Sequence, residues 1–252
     1  MKIGVKTFDV GNFLKTLEKN IDFFELMAVQ EKNYSFVKNL SIPIIIHAEH
    51  SNFDINPADS SKKELNKKSI QFAIQMANLV NAKKIIVHPG DIEKGNKNCS
   101  IKNAINFFKE INDDRILIEN LPTSKNPKIK ALCQTPHQIK KFMKKTNTKF
   151  CFDINHAIES MKKFDGKNYN FIKRYLKLNP AHYHIGGHKF KEKKTHFSFL
   201  DSDLDLKRVL KFYPENAEIS LEVNVILKTE TDAINVGKEV KIIKQVIEEL
   251  KN

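Results

Sequence analysis

The sequence has little of several residue types that mark particular classes of protein. It contains no tryptophan, and its three cysteines, Cys99, Cys133 and Cys151, are scattered and lack CxxC spacing. This usage does not fit a disulfide framework and indicates reduced thiols in a reducing compartment. The hydrophobic runs stay far below the roughly 20 residues that a membrane span needs. The N-terminus, MKIGVKTFDV, lacks the apolar core and cleavage site of a signal peptide, so we expect a cytoplasmic protein.

Arginine is also scarce, although the chain is strongly basic. Three of the 43 basic residues are arginine, at positions 115, 174 and 208, and the formal net charge is +13. Such a charge favours polyanionic partners, nucleic acid above all, because basic side chains neutralise phosphates. The chain also carries 25 asparagines, and an excess of lysine and asparagine together indicates a biased genome as readily as a binding face. The charge alone therefore leaves both interpretations open.

What the sequence does have is a regular alternation of strand-like and helix-like segments. Eight short runs rich in β-branched or aromatic residues recur at 2–7, 22–27, 42–48, 83–90, 115–122, 149–155, 181–187 and 218–224. Several are apolar almost throughout, as is typical of parallel strands that are covered on both faces. Amphipathic helices are predicted at 12–20, 101–111, 136–145, 168–177 and 204–212. A further helix is predicted to start at Ser61 with a capping box to Glu64, and a last one contains Val236, Val240, Ile243, Ile247 and Leu250.

Eight such alternations in 252 residues predict a single-domain (β/α)₈ TIM barrel that spans residues 1–252. The alternative is an open doubly wound sheet. It is disfavoured because the chain has neither a GxGxxG nor a GxxxxGK[ST] loop; the glycine pair in HIGGH fits neither.

The residues at the ends of the predicted strands share one kind of chemistry. They are Glu25, His47, His88, Glu119, Asp153 with the nearby His156, His184 and Glu222. In a parallel barrel the carboxyl ends of all strands meet at one rim, where active sites lie. Carboxylates gathered there would repel each other unless cations neutralised them, and imidazole and carboxylate suit zinc or manganese-like ions. The pattern therefore predicts a metal site, and the absence of cysteine from it favours a catalytic site over a closed structural one.

The remaining histidines have weaker signals. His50, His188 and His196 follow strand ends within loops, where they fit ligands, substrate contacts or surface residues. His137 starts a predicted helix in TPHQ and is interpreted as structural. His182 shares its strand face with His184 but lies one layer deeper. Glu25 fits either the rim of the pocket or a plain strand end.

The segments that carry these residues resemble the xylose isomerase-like TIM-barrel superfamily, and within it endonuclease IV most closely. The resemblance spans nearly the whole chain in matching strand order. IIIHAEHSNFDIN resembles the family's third-strand segment, IIVHPGD its HPG motif, and ILIENLP the strand that ends in a metal-bridging glutamate. CFDINHA resembles the family's CxDTCHA, YHIGGHK its HLNDxK, and ISLEVN its LxLETxN.

The resemblance implies a metal ligand in each of these segments. The residues are His47, His88, Glu119, Asp153, His156, His184 and Glu222. Four of them form a set that we call the quartet: Glu119, Asp153, His184 and Glu222. The quartet also occurs in the superfamily's sugar isomerases and epimerases, so it implies the fold and a metal but not the substrate. His47 and His88 discriminate more, because they add a second metal beside the bridging Glu119.

The sequence departs from the endonuclease IV pattern at two places. KKTH offers His196 for a third metal but has Lys194 where the family has an aspartate, unless Asp201 or Asp203 takes that role. The segment AVQEKNYSFVKNLS is much shorter than the family's DNA-penetrating loop, and no arginine precedes residue 115. The resemblance therefore implies two zinc ions, and leaves a third ion and the recognition of abasic sites open.

By this resemblance, the leading hypothesis is a metal-dependent phosphodiester hydrolase that acts in DNA repair at abasic sites. His47 and His88 would hold one ion, the quartet the other, and Glu119 would bridge the two. Paired ions of this kind activate a shared water and clamp the attacking and leaving oxygens. His156 and His196 would orient a phosphate oxygen or bind a third ion, and surface lysines would contact the DNA backbone.

Two other functions remain as alternatives. The first is a sugar isomerase or epimerase with one manganese- or cobalt-like ion in the quartet. In that enzyme Glu119 and Glu222 would move a proton next to a carbonyl, and His156 would bind a sugar hydroxyl. The second is a barrel that retains metals and binds a sugar or nucleic acid without catalysis.

Overall fold

The computed structural model describes residues 1–7, 14–124, 126–166, 168–191, 194–223 and 229–251. Its strands, in chain order, are β1 (Lys2–Thr7), β2 (Phe23–Ala28), β3 (Ile44–Ala48), β4 (Ile85–Val87), β5 (Asp91–Glu93), β6 (Ile116–Glu119), β7 (Ile129–Ala131), β8 (Lys149–Asp153), β9 (His182–Ile185), β10 (Gly187–Lys189), β11 (Lys194–Phe197) and β12 (Glu218–Leu221). The helices are α1 (Leu14–Glu18), α2 (Lys63–Leu79), α3 (Ile101–Ile111), α4 (Pro136–Thr146), α5 (Ile154–Phe164), α6 (Asn170–Leu176), α7 (Leu206–Leu210) and α8 (Glu230–Lys251).

Within these residues, eight parallel strands close into a barrel in the order β1-β12-β9-β8-β6-β4-β3-β2. Closure comes from the pairing of β1 with β12, which runs from Lys2 opposite Glu218 to Val5 opposite Leu221. The predicted barrel is therefore confirmed, and the open sheet is wrong. Each of the eight predicted runs overlaps one barrel strand, although β2 ends one residue beyond its run and residue 224 of the last run lies outside the described residues. The exact bounds of the single domain, residues 1–252, stay a prediction.

The helices differ from the predictions at two places. The prediction that Ser61 starts a capping box is wrong, because Asp59 accepts a hydrogen bond from the backbone of Ser61 and a 3₁₀ turn precedes α2. A capping box does occur at the start of α4, between Thr135 and Gln138. Helix α5 was not predicted, since it follows β8 without a loop. Residues 12 and 13 of the predicted first helix lie outside the described residues.

The barrel strands are apolar on both faces, as their sequences predict. Outward-facing pairs such as Ile116 with Ile118 and Phe150 with Phe152 pack beneath the helices. Inward-facing residues form a separate cluster that we call the apolar floor: Phe23, Ile45, Ile86, Leu117 and Cys151. A Cβ atom at Gly4 would lie 2.3 Å from the Phe23 ring, so the glycine makes room for that ring inside the barrel. The floor fills the lower part of the barrel and leaves its mouth for other side chains.

Two short antiparallel sheets lie beside the barrel and were not predicted. Strand β5 pairs with β7 in the segments that follow β4 and β6, and β10 pairs with β11 in the segment that follows β9. Both therefore belong to the end of the barrel where the parallel strands finish. Across the part of the chain that is described, no helix is long and apolar enough to cross a membrane.

Candidate metal centre

The interior of the barrel changes from apolar to polar within one layer of side chains. Two residues beyond each floor residue, the strand presents its side chain to the same face. Those positions are Glu25, His47, His88, Glu119 and Asp153. On β9 and β12 the same alternation gives His182, His184, Ser220 and Glu222. The predicted strand-end residues therefore come together inside one end of the barrel.

The quartet forms the best-defined group at this mouth. One ligand atom from each of its members lies within 4.8 Å of the other three. The Nδ1 atom of His184 lies 3.5 Å from Oε1 of Glu119 and 3.8 Å from Oδ2 of Asp153. It also lies 3.1 Å from Oε2 of Glu222. Side chains from β6, β8, β9 and the end of β12 thus converge on one point.

The chemistry of these four atoms fits a cation. All four are buried, and none makes a hydrogen bond of good geometry within the described residues, although Nδ1 of His156 also lies 3.2 Å from Oε1 of Glu119. Buried polar atoms without partners are costly, so a native fold rarely gathers several at one place. One divalent cation would satisfy all four, and three carboxylates with an imidazole suit zinc- or manganese-like ions. The quartet could therefore hold a metal ion.

The second carboxylate oxygen of Glu119 serves another group. Its Oε2 atom lies 3.2 Å from Nε2 of His47 and 3.2 Å from Nε2 of His88. The Nδ1–H of His47 donates to the carbonyl of Ala48 at 2.7 Å, which leaves Nε2 as the nitrogen with a free lone pair. His50 stacks on His88, with 4.7 Å between ring centroids. Glu119 thus offers one oxygen to each of two candidate cation positions.

A third group consists of Asp153, His156 and His196, whose ligand atoms also lie within 4.8 Å of one another. The carboxylate of Asp153 caps α5 by accepting from the backbone of His156 at 2.7 Å. The ring Nδ1–H of His156 donates to the carbonyl of Asn120 at 2.8 Å, and its Nε2 lies 3.4 Å from Nε2 of His196. The third position, which the sequence left open, therefore has three of its residues in place. The side chain of Lys194 lies outside the described residues.

Lys6, on β1, places a positively charged ammonium group among the candidate ligands at this end of the barrel. Its side chain is 3% exposed, and Nζ lies 3.0 Å from Oε1 of Glu222. Burial alone would lower the pKa of Lys6, but Glu222, then Glu119 and Glu25, hold it above its ordinary value. Burial likewise would raise the pKa of Glu222, but Lys6 and then His196 hold it well below its usual range. Both groups are therefore charged at neutral pH.

Two histidines at the mouth have opposite protonation behaviour. Burial lowers the pKa of His50 to about 2, with further contributions from His88 and His47, so its ring is neutral. Burial would also lower the pKa of His156, but Asp153 and Glu119 outweigh it and raise the value to about 9. In the absence of a cation, His156 therefore supplies positive charge beside these carboxylates.

Glu25 lies inside the barrel rather than at a plain strand end. Its Oε2 atom lies 3.1 Å from Nε2 of His182 and 2.9 Å from Nε2 of His184, and it accepts a hydrogen bond from Ser220. Burial alone would raise the pKa of Glu25, but His184, then His182 and Lys6, hold it well below the ordinary value. His182 lies one layer below the quartet, as predicted.

Other sequence-predicted residues lie elsewhere. His188 contacts Lys162 and Glu159 on α5, and His137 is exposed on α4.

Sequence reasoning missed Lys6 and Asn120. The signal for Lys6 was its place in the alternation of β1, two residues after the inward-facing Gly4. Asn120 had no such signal: its side chain bonds the backbone N–H and C=O of Asp153, at 2.8 Å each.

Comparison with known proteins agrees with this architecture. Residues 3–225 match the family model described as xylose isomerase-like TIM barrel. An uncharacterised protein of Methanocaldococcus jannaschii is 25% identical over 217 residues, which cover 75% of this chain and 70% of that protein.

Two solved structures illustrate the range of relatives. A D-tagatose 3-epimerase-like protein superposes with a TM-score of 0.75 at 21% identity, covering 100% of this chain and 98% of that one. Endonuclease IV from Thermus thermophilus superposes with a TM-score of 0.70 at 16% identity, covering 99% of this chain and 100% of that one. At these identities the likeness shows the fold and does not separate an epimerase from an endonuclease. The family model covers most of the chain, and the chain therefore belongs to the xylose isomerase-like TIM barrel family.

Proposed function

We propose that the protein is a metal-dependent phosphodiester hydrolase of the endonuclease IV type, acting on DNA at abasic sites. The observation that carries this proposal is the position of Glu119. Its two oxygens face two groups of candidate ligands, the rest of the quartet on one side and His47 with His88 on the other. A shared carboxylate between two cation positions is the arrangement that hydrolysis of phosphate esters uses. A sugar isomerase with one ion has no need of His47 and His88.

The residues at the mouth have separable roles in this proposal. Divalent cations held there would lower the pKa of a water and neutralise charge on phosphate oxygens. The quartet and the His47–His88 pair would hold the cations. His156 and His196 face each other beside Asp153, where they orient a phosphate oxygen or hold a further ion. The apolar floor keeps water from reaching these groups from below.

The surface at this end of the barrel carries positive charge, which supports the proposal of a polyanionic substrate. Strand β7 and the residues next to β5 and β7 carry exposed lysines that we call the lysine patch: Lys94, Lys97, Lys128 and Lys130. The backbone N–H of Lys94 donates to the carbonyl of Lys128 at 2.7 Å, so the two segments lie side by side. They follow β4 and β6, the strands that lead to His88 and Glu119. Phosphates on either side of a scissile bond would meet these charges.

The test combines metal analysis with a cleavage assay. The protein is stripped with a chelator, reloaded with Zn²⁺ and analysed for bound ions, then incubated with a duplex that has one abasic site. We expect at least two ions per chain and cleavage at the abasic site, with an undamaged duplex of the same sequence left intact. One bound ion with an uncut abasic duplex would overturn the proposal, and so would two ions without cleavage.

A second function has a specific observation in its favour. The quartet is complete by itself, and Glu119 and Glu222 could carry a proton between adjacent carbons of a sugar while Lys6 faces Glu222. The variant His88→Ala separates the two functions. It removes one ligand of the second cation position and leaves the quartet intact, so a hydrolase loses its cleavage. A sugar isomerase or epimerase would keep its turnover on a ketose panel.

A further inference from the structure

We propose that Glu25 positions His184 as a metal ligand and fixes which of its ring nitrogens faces the cation. This inference rests on the proposed function in one respect, namely that the quartet holds a cation. It concerns a residue below the quartet that supplies no atom to the quartet itself. Glu25 is therefore a positioning residue rather than a catalytic one.

The two nitrogens of His184 face different surroundings. Nε2–H donates to Oε2 of Glu25 at 2.9 Å, on the floor side of the ring. Nδ1 faces carboxylate oxygens of Glu119, Asp153 and Glu222, at 3.5, 3.8 and 3.1 Å. A neutral imidazole carries one proton, and a carboxylate that accepts from Nε2–H leaves the lone pair on Nδ1. Glu25 thus selects the tautomer that a cation in the quartet requires.

The partner of His184 differs in kind from the partners of the other candidate ligands. His47 and His156 donate their distal N–H groups to backbone carbonyls, those of Ala48 and Asn120. His184 donates instead to a charged side chain. Charge-assisted hydrogen bonds are about twice as strong as neutral ones, and a carboxylate partner makes the imidazole a more basic ligand. The quartet has one imidazole, so this contact affects its only nitrogen donor.

Glu25 is itself held in place by a chain of contacts. Nε2 of His182 lies 2.8 Å from the hydroxyl of Ser220, and that hydroxyl donates to Oε2 of Glu25. The carboxylate is fully buried directly above the apolar floor. A buried charge costs free energy that an apolar residue at the same place would not. The interior therefore uses two additional polar side chains, His182 and Ser220, to fix one oxygen that contacts His184.

The test measures metal affinity in variants of the whole chain. In the His88→Ala background, which removes a ligand of the second cation position and leaves the quartet intact, Zn²⁺ affinity is determined by competition with a chromogenic chelator. We expect Glu25→Ala to weaken Zn²⁺ binding about 10- to 100-fold. Glu25→Gln should recover most of the loss, because its amide oxygen can still accept from Nε2–H. Ser220→Ala serves as the matched control: it removes a support of Glu25 without touching His184 and should cost less than Glu25→Ala.

A spectroscopic measurement covers the case in which Glu25→Ala does not fold. In the Zn²⁺-loaded wild-type protein, the ¹⁵N chemical shifts of the His184 ring should show a protonated Nε2 and a metal-bound Nδ1. The same shifts in Glu25→Gln should be preserved. A protonated Nδ1 in the wild-type protein would overturn the inference.

The remaining outcomes are also decisive. Zn²⁺ affinity in Glu25→Ala within threefold of the parent would overturn the inference. A further bound ion in the parent that disappears in Glu25→Ala would do the same, since Glu25, His182 and His184 would then be ligands themselves. An uncut abasic duplex, with Zn²⁺ bound and Glu25 behaving as expected, would contradict the proposed function and leave this inference standing.

Discussion

At the scale of single residues, Lys6 shows how the fold manages charge at the mouth. Its ammonium is buried against Oε1 of Glu222, while the other oxygen of that carboxylate faces the quartet. A cation in the quartet and Lys6 would therefore both neutralise the carboxylate of Glu222, each through a different oxygen. The stability of the protein should then depend on both together.

We expect Lys6→Met to lower the free energy of unfolding of the cation-free protein by about 3–5 kcal/mol, because Glu222 loses its buried partner. In the Zn²⁺-loaded protein the loss should be smaller, since the ion offsets the charge of Glu222. Urea unfolding with and without Zn²⁺ measures both values. Lys2→Met, on the same strand, is the control: Lys2 pairs with Glu218 at 3.5 Å near the surface, so its loss should stay within about 1 kcal/mol. Equal losses for Lys6→Met in the two states would contradict this account.

The candidate ligands could be predicted from the sequence, whereas the residues that orient them could not. His88, Glu119 and Asp153 each follow a short apolar run, and the parallel barrel brings such positions together. Their metal-binding role stays a prediction. The alternation of β1 indicates that Lys6 faces inward, but its role depends on Glu222, more than two hundred positions away in the chain. Glu25 was visible as a strand residue, but its partners on β9 and β12 became known only with the closed barrel.

At the scale of elements, the β10–β11 hairpin depends on a neutral histidine. His188 on β10 is fully buried, and its Nε2 accepts a hydrogen bond from Nζ of Lys162 on α5 at 2.8 Å. Burial, with Lys162 adding to it, lowers the pKa of His188 to about 4. Glu159, at 3.5 Å, acts in the opposite direction. A proton on His188 would place two cations side by side between the hairpin and the helix.

This pairing predicts a pH dependence of stability. The unfolded chain binds a proton on His188 below a pH of about 6.5, while the folded chain does so only near pH 4. Since the unfolded state takes up the proton first, the unfolding free energy falls as pH drops from about 6.5 to 4. We expect His188→Gln, whose amide oxygen can accept from Lys162, to lose less stability than the wild type between pH 7 and pH 5. Urea unfolding at both values measures this, with the exposed His137→Gln as control. The same loss in all three proteins would refute the prediction.

Physical reasons explain why helix α5 and the two small antiparallel sheets were not predicted from the sequence. Helix α5 starts at Ile154, directly after β8, and Asp153 serves both as the last strand residue and as the cap of the helix. The hydrophobic pattern changes there from that of a strand to that of a helix with no loop in between. The boundary therefore has no turn residues that could be detected in the sequence. The small sheets consist of strands of three or four residues, and their pairing joins distant segments. Such pairing depends on the barrel already being in place.

At the scale of the whole molecule, the excess of positive charge can be divided by location. The lysine patch lies on the segments that follow β4 and β6, at the end of the barrel where these strands finish, whereas Lys140, Lys141 and Lys144 are exposed on α4. If the substrate is DNA, lysines near the mouth should contribute to binding and those on α4 should not.

We expect the triple variant Lys94→Gln, Lys97→Gln and Lys128→Gln to reduce the salt dependence of binding to an abasic duplex. Each phosphate contact that is lost should lower the slope of log K against log salt by about 0.9. Titrations at several salt concentrations measure this slope. The variant Lys140→Gln, Lys141→Gln and Lys144→Gln makes the same change in charge and should leave the slope unaltered. An equal decrease of the slope in both triple variants would contradict this prediction, because DNA binding would then depend on the net charge and not on the position of the lysines.

The apolar floor also determines how a small molecule can enter and leave the barrel. Phe23, Ile45, Ile86, Leu117 and Cys151 close the cylinder from below, which makes it a cup rather than a channel. A small molecule that binds inside the barrel must therefore leave through the same open end by which it entered. Product should therefore compete directly with fresh substrate, and a chelator would have to reach any bound ion through that same end.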